Sequence, residues 1–66
     1  MLKQDYIEKI ATYIADSWLA ADAGNQEVCI AAKQSAMRTA EQAAGELGHT
    51  AGYWLAESQF RAADLY

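Results

Sequence analysis

The sequence predicts an all-α protein of three helices, and two observations of composition carry that prediction. The 66 residues include fifteen alanines and no proline, and alanine loses less conformational freedom in a helix than other residues do. Residues that favour strands are few, with one valine, four isoleucines and three threonines. Two glycine-containing breaks divide the chain, so we expect an antiparallel helical hairpin followed by a C-terminal third helix. We expect one domain, residues 1–66, that assembles as a dimeric helical bundle.

The first helix is predicted over residues 5–22. Asp5 can cap the free N–H groups of the first turn, with Glu8 three positions later in the capping-box arrangement. Ile10, Ile14 and Trp18 recur at the three- and four-residue spacing of one helix face. The sequence therefore predicts an amphipathic helix whose opposite, polar side carries an acidic surface of Asp5, Glu8 and Asp16.

The second helix is predicted over residues 26–47. Gly24 can adopt the left-handed conformation that ends a helix, and Asn25 is a favoured cap for the next one. The apolar face is made almost entirely of small residues, which let another helix approach closely: Cys29, Ala32, Ala36, Ala40, Ala43 and Leu47. A short connection of this kind predicts that the first two helices are antiparallel neighbours.

The third helix is predicted over residues 51–65, with Gly48 ending the second helix and Thr50 capping the third. Its apolar residues lie on two sides, and one neighbour cannot cover both. One side carries Trp54, Leu55, Ala62, Leu65 and Tyr66, and the other carries Tyr53, Ala56, Phe60 and Ala63. Exposed apolar patches of this kind usually mark interfaces.

Aromatic residues are the predicted contact points of such an interface. Tyrosine and tryptophan dominate binding hot spots, because each combines a large apolar ring with a polar group that tolerates a wet rim. The predicted interface residues are Tyr53, Trp54, Phe60, Tyr66, Tyr6 and Tyr13. The partner is expected to be another protein chain, either a second copy or a larger protein.

The segment from Ala43 to Glu57 offers an alternative. Its alanine before the turn, Leu47-Gly48 at the turn, Thr50 as the next cap and Trp54 in the following helix resemble the helix-turn-helix of bacterial and phage regulators. That resemblance implies a transcriptional regulator. The helix that would enter the major groove carries Arg61 as its only cation, which argues against direct DNA binding.

Catalytic and metal-binding arrangements are not expected. Cys29 and His49 are the only residues of their types, and most of the second helix separates them. Glu46 and His49 have the Glu-x-x-His spacing of di-iron bundles, but that spacing needs a continuous helix, and Gly48 interrupts it. We therefore predict a protein that is not an enzyme and binds no cofactor, metal or small-molecule substrate.

The charge and hydropathy pattern narrow the class of partner. Nine acidic against five basic residues give a net charge of −4, which disfavours nucleic acid and anionic lipid and favours a basic partner. The apolar runs are too short to span a bilayer, so a cytoplasmic location is expected. By analogy of size and charge, the most concrete function is that of a phage inhibitor of a host nucleic-acid-handling machine, such as a CRISPR complex.

Overall fold

The computed structural model describes residues 2–66, and it is all-helical as predicted. Helix α1 spans Lys3–Asp22, α2 spans Gln26–Leu47 and α3 spans Ala51–Leu65. No strand occurs within this range. The bounds of α2 and α3 coincide with those expected from the sequence, whereas α1 begins two residues earlier.

The start of α1 corrects the predicted role of Asp5. Leu2 is the capping residue, and Asp5 lies three positions inside, where its carboxylate accepts a hydrogen bond of 3.3 Å from the Leu2 backbone N–H. Lys3 and Gln4 are good helix formers, so the helix extends backwards over them. Asp5 therefore lies in the first turn of α1 and accepts a hydrogen bond from the backbone N–H of the capping residue.

The turn between α1 and α2 is a Schellman motif centred on Gly24. Gly24 has a φ of +74°, and its N–H donates to the carbonyl of Ala21 while the Asn25 N–H donates to that of Ala20. These two bonds satisfy carbonyls that the end of α1 leaves free. The Asn25 side chain then accepts from the Val28 N–H at 3.2 Å and caps α2, as predicted.

The turn between α2 and α3 also has three residues, but two of them have a positive φ. Gly48 has a φ of +92° and His49 a φ of +66°. The Thr50 hydroxyl accepts from the Tyr53 N–H at 3.2 Å, which is the cap that the sequence predicts. The indole N–H of Trp54 donates to the Gly48 carbonyl at 2.9 Å and so ties the turn to the core.

Helix α1 is the central element, because it packs against both other helices while α2 and α3 contact each other least. Its Tyr6 and Ile10 pack in one cluster with Ala36, Ala40 and Ala43 of α2 and with Trp54 at the start of α3. Toward α3 it presents Ala11 and Ala15, which pack on Ala62. One helix thus buries two faces.

The small-residue face of α2 is buried as predicted except at its end. Cys29, Ala32, Ala36, Ala40 and Ala43 are all buried, but Leu47 is exposed. Leu47 is the last residue of α2, where the chain turns away at Gly48. It therefore does not belong to the buried stripe.

Candidate protein-binding surface

The outer face of α3 is the side of that helix turned away from the rest of the molecule; we define it as Tyr53, Ala56, Glu57, Phe60, Ala63 and Asp64. The buried side chains of α3 are Trp54, Ser58 and Ala62, spaced four residues apart on one face. Phe60 lies two positions from both Ser58 and Ala62, about 200° around the helix. Its side chain is 80% exposed, so no helix of the chain covers it.

Tyr53, on the same face, is partly covered by polar neighbours. The His49 ring stacks on it with ring centroids 4.0 Å apart. The Lys3 ammonium donates a hydrogen bond of 3.3 Å to the Tyr53 hydroxyl. These contacts fix the tyrosine ring at one end of the outer face while Phe60 remains free in the middle.

Tyr66 and Tyr13, two further predicted interface residues, lie away from the outer face. Tyr66 is exposed and packs edge-on against Trp18, with ring centroids 5.5 Å apart. Tyr13 is half-buried between α1 and α2. Both keep some accessible surface, but neither adjoins Phe60.

Tyr6 and Trp54, the remaining predicted interface residues, are buried in the chain's own core. Their rings pack together, with centroids 6.0 Å apart. The Tyr6 hydroxyl donates to the Glu46 carboxylate, and this hydrogen bond raises the pKa of the Tyr6 phenol above its ordinary value, with burial and the Glu46 charge adding to it. Their side chains are not available to a partner, so we leave both out of the binding surface.

A groove where the three helices meet was not evident from the sequence. This three-helix groove has a volume of about 290 Å³. Its apolar lining includes Ile14 and Trp18 of α1, Met37 of α2 and Leu55 of α3, and its only charged group is Lys33. Residues from three separate helices form it, so no periodicity within one helix could reveal it.

A second apolar groove lies on the hairpin of α1 and α2. This hairpin groove, with a volume of about 500 Å³, is lined by residues that include Tyr13, Leu19 and Val28, with Asp16 at its edge. Leu19 and Val28 are each about half exposed. The molecule therefore offers two apolar grooves in addition to the outer face of α3.

The three residues of the predicted acidic surface have separate roles. Asp5 caps α1 from within, and Asp16 is exposed at the hairpin groove. Glu8 accepts a hydrogen bond of 2.6 Å from the Arg61 guanidinium and so ties α1 to α3. That bond, followed by the Glu8 charge, raises the pKa of Arg61.

The residues with possible catalytic or metal-ligating chemistry are engaged in structural contacts. Glu46 accepts the Tyr6 hydrogen bond, His49 stacks on Tyr53, and Cys29 is buried. Across residues 2–66, no three of the His, Cys, Asp and Glu side chains come together in a group that could hold a metal ion. None of the three helices is long and apolar enough to cross a membrane.

No protein-family model matches this chain, and comparisons with curated proteins and with solved structures find no significant similarity. Any assignment of function must therefore stand on the surface just described.

Proposed function

We propose that this protein is a non-enzymatic binding module that packs the outer face of α3 against another protein chain. The observation that carries the proposal is the 80% exposure of Phe60, a large apolar ring in the middle of a helix. Aromatic side chains are enriched at the centres of protein interfaces, where polar residues surround them.

The charges around Phe60 favour a basic partner surface. Glu57 and Asp64 lie three residues before and four residues after it, on the same side of the helix. With a net charge of −4, the protein attracts basic surfaces over a distance set by the ionic strength. Such a surface suits an inhibitor or adaptor that occupies a basic site on a larger protein.

The most concrete version of this proposal is a phage inhibitor that blocks a host nucleic-acid-handling protein, such as a CRISPR complex. A small acidic helical protein can compete for the basic groove in which such machines hold nucleic acid. Size and charge support this version, and no sequence motif adds to them.

The helix-turn-helix alternative gains no support from the side-chain contacts. Arg61, the only cation of α3, is engaged by Glu8 at 2.6 Å and lies 3.9 Å from Asp64. A helix that reads DNA needs free cationic or amide side chains that reach phosphates and base edges. A DNA titration at low salt tests it directly, because phosphate contacts strengthen steeply as salt falls.

A photo-crosslinking amino acid at position 60 tests the proposed function. The matched control places the same group at Gln34, an exposed polar position of α2. We expect a crosslinked protein at position 60 and none at position 34. The captured protein is then purified and titrated with the wild-type chain and with Phe60→Asp and Gln34→Asp, which add the same charge.

The proposal requires that Phe60→Asp weaken this binding about thirtyfold or more, as loss of a hot-spot aromatic does. Gln34→Asp is expected to leave the affinity within about threefold of wild type. Equal affinities for the two variants would show that the outer face of α3 is not the binding surface.

A further inference from the structure

The outer face of α3 and the three-helix groove have complementary shapes and charges. Phe60 projects from the first, and the second is a partly open, mostly apolar groove of about 290 Å³. An apolar cavity of about 150 Å³ already accepts benzene, so the groove has room for a phenyl ring. Met37 in its lining is 43% exposed and available for contact.

The charges of the groove and of the outer face of α3 are also opposite in sign. Lys33 is the only charged residue that lines the groove, and Glu57 lies one helical turn before Phe60. Within residues 2–66, neither Lys33 nor Glu57 makes a salt bridge. Asp64 is less available, because it lies 3.9 Å from Arg61. A ring entering the groove would therefore bring Glu57 toward a free ammonium group.

From this complementarity we infer that the chain forms a symmetric homodimer in which Phe60 of each copy enters the three-helix groove of the other and Glu57 pairs with Lys33. The inference rests on the proposed function and names a second copy as a partner of the same surface. Each copy carries both the ring and the groove. In a dimer with twofold symmetry, the Phe60 contact and the Glu57–Lys33 pair therefore each form twice.

A stable dimer would have to use both surfaces to bury enough area. A standard interface buries about 800 Å² on each partner, which is about a fifth of the 4119 Å² of accessible surface of this chain. One phenylalanine cannot provide that area. Between Phe60 and the groove, α3 carries Gly52, Ala56 and Ala63, whose small side chains would allow two copies of the helix to approach closely along the axis.

Sedimentation of the full chain at physiological ionic strength, which screens the repulsion between two copies of net charge −4, tests the inference through charge reversal over a range of concentrations. We expect wild type to dimerise, and Lys33→Glu and Glu57→Lys each to weaken dimerisation about three- to tenfold. The double variant, which combines Lys33→Glu with Glu57→Lys, again places opposite charges against each other. It is expected to recover most of the wild-type affinity for dimerisation. The matched controls Lys9→Glu and Glu41→Lys, at exposed positions outside the groove, are expected to change it little.

Apolar variants test the seating of the ring. Phe60→Ala and Met37→Asp are expected to weaken the dimer about thirtyfold or more. Leu19→Asp, at a half-exposed apolar position in the hairpin groove, is expected to leave the dimer intact. A dimer lost with Leu19→Asp but retained with Phe60→Ala overturns the inference and assigns the contact to the hairpin groove.

A wild-type chain that stays monomeric at all concentrations also overturns the inference, as does a double variant no better than the single reversals. These results are distinguishable from failure of the proposed function. If Phe60→Asp still abolishes binding to the crosslinked partner while the chain is monomeric, the binding module stands and only the homodimer fails. If neither partner binds through Phe60, both fail.

Discussion

Ser58 is the one polar side chain of the buried face of α3, and its hydroxyl is fully enclosed. It finds no hydrogen-bond partner among residues 2–66, whereas the buried Ser17 hydroxyl donates to the Ile14 carbonyl at 2.6 Å. A buried hydroxyl without a partner loses its bond to water and gains nothing in return. Ser58 is therefore a position where stability can be increased.

Replacing Ser58 by alanine is expected to raise the free energy of unfolding by about 1 kcal/mol, from the removed hydroxyl and the better helix propensity of alanine. Ser17→Ala is the control, since it gains the same propensity but loses a made hydrogen bond, and its net change should be near zero. Urea unfolding measures both. A destabilised Ser58→Ala would mean that the hydroxyl has a partner after all.

Tyr6 makes the stability of the protein sensitive to alkaline pH. Its pKa in the folded chain lies above the ordinary value of 10.0, first because of the hydrogen bond to Glu46 and then because of burial and the Glu46 charge. A pKa raised on folding contributes stability that is fully present below the unfolded value and is lost as pH rises through the folded value. The contribution is therefore complete at neutral pH and falls above about pH 10.

Tyr6→Phe is expected to remove this part of the pH dependence. Lysines titrate in the same range, so the measured quantity is the difference in unfolding free energy between wild type and variant as pH rises above 10. We expect that difference to shrink, because the wild type loses a contribution that the phenylalanine never had. A difference that stays constant with pH would show that the Tyr6 phenol is not coupled to folding.

At the scale of the helices, Gly24 and Gly45 have opposite roles. Gly24 has a φ of +74°, a backbone conformation that residues with a Cβ rarely adopt. Gly45 lies within α2, and a Cβ added there would meet no atom within 4 Å. The first glycine is required by the backbone of the turn. The second only lowers the stability of the helix that contains it.

Alanine substitution separates these roles. Gly24→Ala is expected to lower the free energy of unfolding by about 1 kcal/mol through left-handed strain. Gly45→Ala is expected to raise it by about 0.5 to 1 kcal/mol, because glycine is a poor helix former. Thermal unfolding of the pair checks the signs, and two shifts in the same direction would contradict this interpretation of the turn.

The ends of α2 and the start of α3 were predictable because they depend on local backbone chemistry. Gly24, Asn25, Gly48 and Thr50 each act on backbone groups within a few positions, so their residue types carry the information. The start of α1 was less predictable, because Lys3 and Gln4 have no stop signal before them. Helix propensity alone extended the helix past the predicted cap at Asp5.

The burial of Tyr6 was not predictable from one helix pattern, because α1 has two buried faces. A helical-wheel analysis that assumes one apolar face averages the side of α1 that faces α2 with the side that faces α3. It therefore places Tyr6 at the edge of the predicted apolar face. Its partner Glu46 lies forty residues away in the chain. The sequence predicted that one apolar side of α3 would be exposed but not which one. Burial of Trp54, Ser58 and Ala62 against the other helices leaves the side of Phe60 exposed.

At the scale of the whole molecule, Ile14 is a half-buried side chain packed against the core, whereas Phe60 is exposed. Ile14 packs against both hydrophobic clusters and so joins the contacts of α1 with α2 and with α3. Phe60 contributes little to either cluster, because most of its ring faces solvent. The fold therefore depends on the first and not on the second.

Ile14→Asp is expected to unfold the chain, since it places an unpaired charge between the clusters of a domain with little stability to spare. Phe60→Asp is expected to retain the helicity of wild type, measured by far-ultraviolet circular dichroism at the same concentration. Equal loss of helicity in both variants would mean that Phe60 supports the fold of the single chain.

The placement of the two tryptophans provides a built-in optical probe. Trp54 is enclosed in the core and hydrogen-bonded to Gly48, whereas Trp18 is half-buried and lines the three-helix groove beside Tyr66. A small aqueous quencher reaches the second indole far more readily than the first. Fluorescence quenching of the unlabelled protein therefore reports on the groove separately from the core, and anything that enters the groove should protect Trp18.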